Sequence, residues 1–161
     1  MAAVLSNPAI SCAITCNMSG GAAPAPATAV INDATARQAT VGSSAGNVNK
    51  IYSAVFTVTN GTPLVFDVTS LTDALGNALN FGTVYAIKIT NSSTTAGQDF
   101  TLYGGTNPIL AASTELCYAN GGVKLLDTGT TGIAISGSVK TIQITVAAGT
   151  GVAGVITIIG K

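Results

Sequence analysis

From Ile51 to Ile159 the chain is a succession of short β-branched and aromatic runs, each ended by a turn signal about every 8–12 residues. Such spacing suits antiparallel strands and shows no strand–helix alternation, so a parallel α/β fold is disfavoured. Ile51 to Thr59 reads as the first strand, Asn60-Gly61-Thr62-Pro63 as a turn with a strong hairpin signal, and Leu64 to Val68 as the next strand. Ser70 to Leu79 reads as a connection with one helical turn. Ser70 caps it, Asp73 sits in its first turn, and Gly76-Asn77 ends it. Phe81 to Thr90 is the clearest strand. Simple alternation places Tyr85, Ile87 and Ile89 on one face and Val84, Ala86, Lys88 and Thr90 on the other.

Asn91 to Gly97 is a polar loop. Phe100 to Tyr103, Ile109-Leu110, Glu115 to Tyr118, Val123 to Leu126 and Ile133 to Ile135 are shorter extended pieces, parted by Gly104-Gly105, Asn120-Gly121-Gly122 and the Thr/Gly loop from Asp127 to Gly132. Val139 to Ala147 is a long strand with Ile142, Ile144 and Val146 on one face, and Val155 to Ile159 closes the chain. Eight or nine short strands in some 110 residues predict an all-β, antiparallel β-sandwich, jelly-roll-like. The last strand is apolar on both faces, so one face is expected to meet the core and the other a second subunit.

The chain divides near Lys50 into two expected parts: an extended N-terminal arm over 1–49 and a β-sandwich domain over 50–161. The first part is rich in Ala, Ser, Asn, Gly and Pro and shows little period, yet it is too apolar for a well-solvated tail. Residues 1–32 carry no charge and lack the basic start of a secretory signal. Residues 141–160 are also uncharged and long enough to span a bilayer, but Thr and Gln alternate with Ile and Val before Gly149, Gly151 and Gly154 interrupt. That pattern reads as a terminal hairpin, not a membrane helix.

Charge then narrows the function. Six basic and six acidic residues leave 7% charged and no net charge, and there is no His. A Ser-His-Asp or Cys-His relay and an imidazole metal site are therefore excluded. No basic excess is present for phosphate contacts, so a nucleic-acid partner is not expected. A surface so poor in charge favours association.

The motif matches read blandly. Gly149-Thr150-Gly151-Val152-Ala153-Gly154 fits G-x-G-x-x-G, but a β-branched run follows where a phosphate-binding helix must start, so a hairpin loop is expected. Asp67, Asp73 and Asp127 suit turn and capping roles better than a carboxylate pair or calcium loop. Asn17-Met18-Ser19, Asn60-Gly61-Thr62 and Asn91-Ser92-Ser93 match the glycosylation pattern without a signal for secretion. Cys12, Cys16 and Cys117 read as small hydrophobes held reduced. Lys50, Lys88, Lys124 and Lys140 are spread for solubility and edge protection. The aromatic residues, Tyr52, Phe56, Phe66, Phe81, Tyr85, Phe100, Tyr103 and Tyr118, are assigned to core packing. No catalytic, cofactor-binding or metal residue is assigned.

One order of segments resembles a known family. The run from Phe66-Asp67-Val68-Thr69 through Asn80-Phe81 is followed by Val84-Tyr85-Ala86-Ile87-Lys88-Ile89-Thr90-Asn91. Gly121-Gly122-Val123-Lys124-Leu125-Leu126 and Val155-Ile156-Thr157-Ile158-Ile159-Gly160 complete it. It resembles tailed-bacteriophage β-sandwich capsid decoration (cement) proteins, such as those of cyanophages, and leaves the N-terminal residues outside. The resemblance implies a non-enzymatic, homotrimeric virion protein, made in the host cytoplasm and placed on the capsid outer surface. Its partners would be the major capsid protein and itself, with no nucleic acid, membrane or cofactor. Two alternatives stay open: a phage tail or fibre module binding host-surface glycan, and a self-assembling extracellular appendage subunit.

Overall fold

The computed structural model describes residues 9–20, 27–38, 44, 46–73, 76–103, 105–110 and 115–161. Within them the strands are β1 (Ala9–Gly20), β2 (Ala27–Gln38), β3 (Lys50–Val58), β4 (Leu64–Asp67), β5 (Leu71–Thr72), β6 (Ala78–Leu79), β7 (Thr83–Asn91), β8 (Phe100–Tyr103), β9 (Glu115–Cys117), β10 (Val123–Asp127), β11 (Ile133–Ala134), β12 (Thr141–Val146) and β13 (Val152–Gly160). The described residues contain no helix, and all the strand pairs are antiparallel. The expected all-β, antiparallel class is what the chain adopts.

Two sheets form the body. One runs β10-β7-β13-β3, with β11 continuing beside β7, and the other runs β4-β12-β8-β9. Alternate residues of both sheets enter one continuous core, built around Phe56, Phe81, Ile89, Phe100, Ile142, Ile144, Ile156 and Ile158. Ile142, Ile144 and Val146 lie in it, as their alternation in sequence predicts. Phe56 sits at the centre of an aromatic group, 5.6 Å from Phe66 and 5.4 Å from Phe100 between ring centroids.

The chain repeatedly leaves one sheet for the other, and this corrects both hairpins expected from sequence. Asn60-Gly61 does form a tight turn, with Gly61 at φ +81° and the Thr62 N–H donating to the Thr59 carbonyl at 3.0 Å. Yet β3 pairs with β13 and β4 with β12. Likewise β12 and β13 belong to different sheets, so residues 147–151 form a crossing between layers. A turn signal tells where the chain reverses and not which partner the next strand takes. Strands that bury one face each gain more by packing across the core than by pairing as isolated ribbons.

A bulge overturns the alternation expected for β7. Ile159 pairs with Ala86 and Gly160 with Val84, so Tyr85 is the extra residue. Val84 thereby joins Ile87 and Ile89 in the main core, while Tyr85 turns with Ala86 to the outer face. Among the described residues of 70–79 the helical turn expected after Ser70 is not found. Leu71–Thr72 and Ala78–Leu79 pair as a small ribbon, and the Asp73 carboxylate accepts the Asn77 N–H at 2.8 Å, closing the turn itself.

Asp67 clamps the end of β4 to the start of β12. Lys140 Nζ lies 2.8 Å from its carboxylate, and the Thr69 hydroxyl and N–H donate to the other oxygen at 2.6 and 2.9 Å. These donors, the Lys140 ammonium first, hold the Asp67 carboxyl down to about 2 from its ordinary 3.8. The lowered value means the contribution is complete above about pH 4 and is lost as pH falls towards 2. With both side chains near 30% exposed, solvent screening limits it to roughly 1 kcal/mol. Asp67→Asn is expected to remove that much at pH 7 and to flatten stability between pH 4 and 2, as read by urea unfolding at each pH.

Candidate functional site

The outer face of the five-stranded sheet is the most unusual surface of the body. Its register sets out three rows: Val123, Thr90, Val155 and Val55; Leu125, Lys88, Thr157 and Ser53; Asp127, Ala86, Ile159 and Ile51. The Ser53 and Thr157 hydroxyls lie 3.2 Å apart across the strands, as neighbours on one face should. Only Lys88 and Asp127 among these twelve residues are charged. The last row is partly covered by the chain entering β3: Val48 packs with Tyr85, Ala86 and Ile159. There the Gly46 N–H donates to the Tyr85 hydroxyl at 3.1 Å, and the Asn49 N–H to the Gly160 carbonyl at 3.0 Å. The first row stays open, with Val55 76% exposed.

The other sheet presents Thr101, Gln143 and Thr145 outward, with the exposed Val65 and Leu116 in register beside them, while Thr141 at the start of β12 is buried and donates its hydroxyl to the Asn107 carbonyl at 3.0 Å. The two lateral sides are different again. Within the described residues β3, β4, β9 and β10 are the end strands of their sheets, each paired on one edge. Their exposed large hydrophobic residues are Ile51, Val55, Val65, Leu116 and Val123, with Tyr118 immediately after β9. Unpaired strand edges beside exposed aliphatic groups are templates for association.

At one end of the body a buried polar cluster knits three loops. Asn91 is fully buried. Its amide nitrogen donates to the Gln98 carbonyl at 2.7 Å and the Cys117 carbonyl at 3.1 Å, while its oxygen accepts the Ser93 N–H at 3.0 Å. The Ser93 hydroxyl donates to Gln98 Oε1 at 2.5 Å, and Asp99 accepts the Ala119 N–H at 2.8 Å. Cys117 Sγ lies 3.2 Å from the Gly122 carbonyl, and burial pushes its thiol up from the ordinary value. Each polar group here is consumed by loop architecture, which leaves the cluster structural.

The motifs singled out in sequence fall as follows. Gly149 and Gly151 have φ +95° and +65° in the crossing between β12 and β13, while Gly154 lies within β13. Asp67 and Asp73 each close a turn of their own, and the Asp127 carboxylate accepts the Gly129 N–H at 2.8 Å. Asn91 is sealed in the core and cannot receive a glycan in the folded chain. Lys50 and Lys124 lie in the end strands β3 and β10, where edge protection would place them. Phe56, Phe66, Phe81, Tyr85 and Phe100 are buried, but Tyr118 is 62% exposed and departs from the core role expected of it. The side chains of Cys12, Cys16, Asn17 and Tyr103 lie outside the described residues, as does the Pro-rich stretch at 21–26.

Sequence reading also missed a feature of the N-terminal part. β1 and β2 pair over twelve residues in unbroken register, from Ala9 opposite Gln38 to Gly20 opposite Ala27. The signal was present: Ile10, Cys12, Ile14, Cys16 and Met18 occupy every second position of β1. Comparison with protein-family models, with curated proteins and with solved structures finds no match.

Proposed function

We propose that the chain is a structural virion protein: a capsid decoration or cement subunit that binds the outer surface of an icosahedral phage head and ties neighbouring major capsid subunits together. Its body would be a jelly-roll sandwich and its N-terminal part the capsid-binding arm. The strand orders support the jelly roll. Numbering the eight body strands β3, β4, β7, β8, β9, β10, β12 and β13 as one to eight, the sheets run 1-8-3-6 and 2-7-4-5, the pattern of an antiparallel roll whose strands pair across the fold.

The single observation that carries the assembly reading is the β1–β2 ribbon ahead of the body. A two-stranded ribbon is marginal in water on its own. Twelve paired residues make it roughly 40 Å long, enough to cross from one shell subunit to the next. Among the described residues its outer edges are unpaired and offer main-chain hydrogen bonds. Low charge in the body fits a subunit whose surface is covered in use.

The test is direct. Purified full-length chain mixed with shells that lack decoration is expected to co-sediment saturably with them. Absence of co-sedimentation at micromolar protein would overturn the reading.

A further inference from the structure

We propose that Asn60 is a site of spontaneous covalent modification: its side-chain amide closes on the Gly61 nitrogen and hydrolyses to isoaspartate, leaving a slow, irreversible acidic mark on the turn between the two sheets. The site does not depend on the assembly reading above. Of the asparagines in the chain, Asn60 and Asn120 alone precede a glycine. Asparagine amides are thermolabile, and a following residue without Cβ lets its nitrogen approach Cγ. In the reaction the Gly61 nitrogen attacks Asn60 Cγ. The N–Cγ bond forms, the Cγ–Nδ2 bond breaks, and the Gly61 amide proton leaves with the side-chain nitrogen as ammonia. Water then opens the cyclic imide. Opening at the side-chain carbonyl gives aspartate. Opening at the main-chain carbonyl gives isoaspartate, in which the chain runs on through Cβ and Cγ.

The two Asn-Gly turns differ in how they are held. Asn60 and Gly61 are both exposed. Among the described residues no hydrogen bond holds the Asn60 side chain or the Gly61 N–H. Nothing lies within 4 Å of where a Gly61 Cβ would stand, so that flank is open. Three bonds fasten the turn: the Asn60 N–H to the Gly149 carbonyl at 3.0 Å, the Thr62 N–H to the Thr59 carbonyl at 3.0 Å and the Gly151 N–H to the Thr59 hydroxyl at 3.1 Å. Two of them end on the 147–151 crossing, where Gly149 and Gly151 are themselves at positive φ. Rotating the Asn60–Gly61 peptide onto Cγ therefore needs only a local opening at the surface.

Asn120 is locked by comparison. It is held at φ +64°, and its N–H donates to the Ser93 carbonyl. The Ala119 N–H is bound to the Asp99 carboxylate and the Gly122 N–H to the Tyr118 carbonyl, while the Gly122 carbonyl accepts the N–H of the buried Asn91 at 2.9 Å. Opening this turn unpicks the buried polar cluster. The additional bonds lower its open population by about tenfold or more relative to Asn60. The mark at Asn60 falls where it changes the fold locally. The turn carries the chain from β3 in one sheet to β4 in the other and is tied to the crossing from β12 to β13. Isoaspartate lengthens the main chain inside this turn by one carbon, and it adds a negative charge to a chain with no net charge.

Ageing of the full-length chain at mildly alkaline pH, folded and in concentrated urea, tests this. Peptide mapping by mass spectrometry follows each asparagine, and electron-transfer fragmentation tells isoaspartate from aspartate. In urea both Asn-Gly peptides are expected to convert at comparable rates. In the folded chain Asn60 is expected to convert about tenfold or more faster than Asn120, with isoaspartate among its products. The converted chain should separate by anion exchange as a more acidic species, and Asn60→Gln, an exposed change that leaves the turn glycine in place, should remove that species. In hydrogen exchange the isolated isoaspartate form is expected to lose protection at the Asn60 and Gly151 amides. A folded chain in which Asn60 stays intact, in which Asn120 keeps pace with it, or in which Asn60→Gln still yields the acidic species at the parent's rate would overturn the site. Unchanged amide protection in the isoaspartate form would overturn its effect on the turn.

Discussion

Gly154→Val is expected to destabilise the body by at least about 3 kcal/mol, the upper range for overpacking a core, and to lower the midpoint of thermal unfolding by roughly 6–12 °C for a chain of this size. Gly154 lies in the middle of β13, opposite Phe56 on one neighbour and Asn91 on the other. A Cβ placed there would stand 2.6 Å from Phe56 Cζ and 2.6 Å from Phe100 Cε2. Phe100 is fully buried and Phe56 nearly so, with further rings behind them, so neither can retreat. Local preference argues the opposite sign, since valine favours a strand over glycine by up to about 1 kcal/mol. Ala153→Val, one residue away on the outer face, is the control and should stay within about 0.5 kcal/mol of the parent. Urea unfolding at one fixed protein concentration measures all three. Equal midpoints for Gly154→Val and the parent would mean that the rings do not close over this position.

Asn91→Asp should cost as much at neutral pH while changing almost no volume. The asparagine gives two donors to the Gln98 and Cys117 carbonyls. A carboxylate gives none, and its charge would be held at a fully buried site facing two carbonyl oxygens. Loss of the donors and burial of an unpaired charge together predict about 3 kcal/mol or more at pH 7. The pH dependence carries a definite sign. Burial and the missing donors raise the new carboxyl above its unfolded value of about 3.9. Such a group destabilises least below that value, and the loss grows as pH rises towards neutrality. Unfolding of variant and parent compared at pH 4, 5, 6 and 7 reads this slope. A difference that stays flat over the range would show that position 91 is hydrated.

The fold class was legible because turn-forming residues and β-branched runs act locally. Ile142, Ile144 and Val146 announced their common face, and Asn60-Gly61 and Asn120-Gly121 announced reversals. Partner choice was not legible. Nothing near Asn60 says that β4 will lie in the sheet opposite β3, because that depends on residues some eighty positions away in β12 and β13. The Tyr85 bulge was hidden for the same kind of reason. A single unpaired residue shifts alternation by one place, and its cause is the pairing of Ile159 and Gly160 with β7.

For the candidate surface, low charge pointed to association but gave it no place. The last strand's second apolar face is expected from sequence to meet a second subunit; the structure sets Val155 and Thr157 on the outer sheet face between Lys88, Thr90 and β3, and covers Ile159 with Val48 of the same chain. The role of Asn91 was invisible in sequence, where it matched only a glycosylation pattern. What the amino-acid order determined by itself is therefore the strand inventory, the reversals and the scarcity of charge, since each depends on neighbouring residues. The tertiary structure alone decided which strands end each sheet, which hydrophobic groups remain in water and where a glycine must yield to two rings. Those properties arise from packing between residues far apart in the chain.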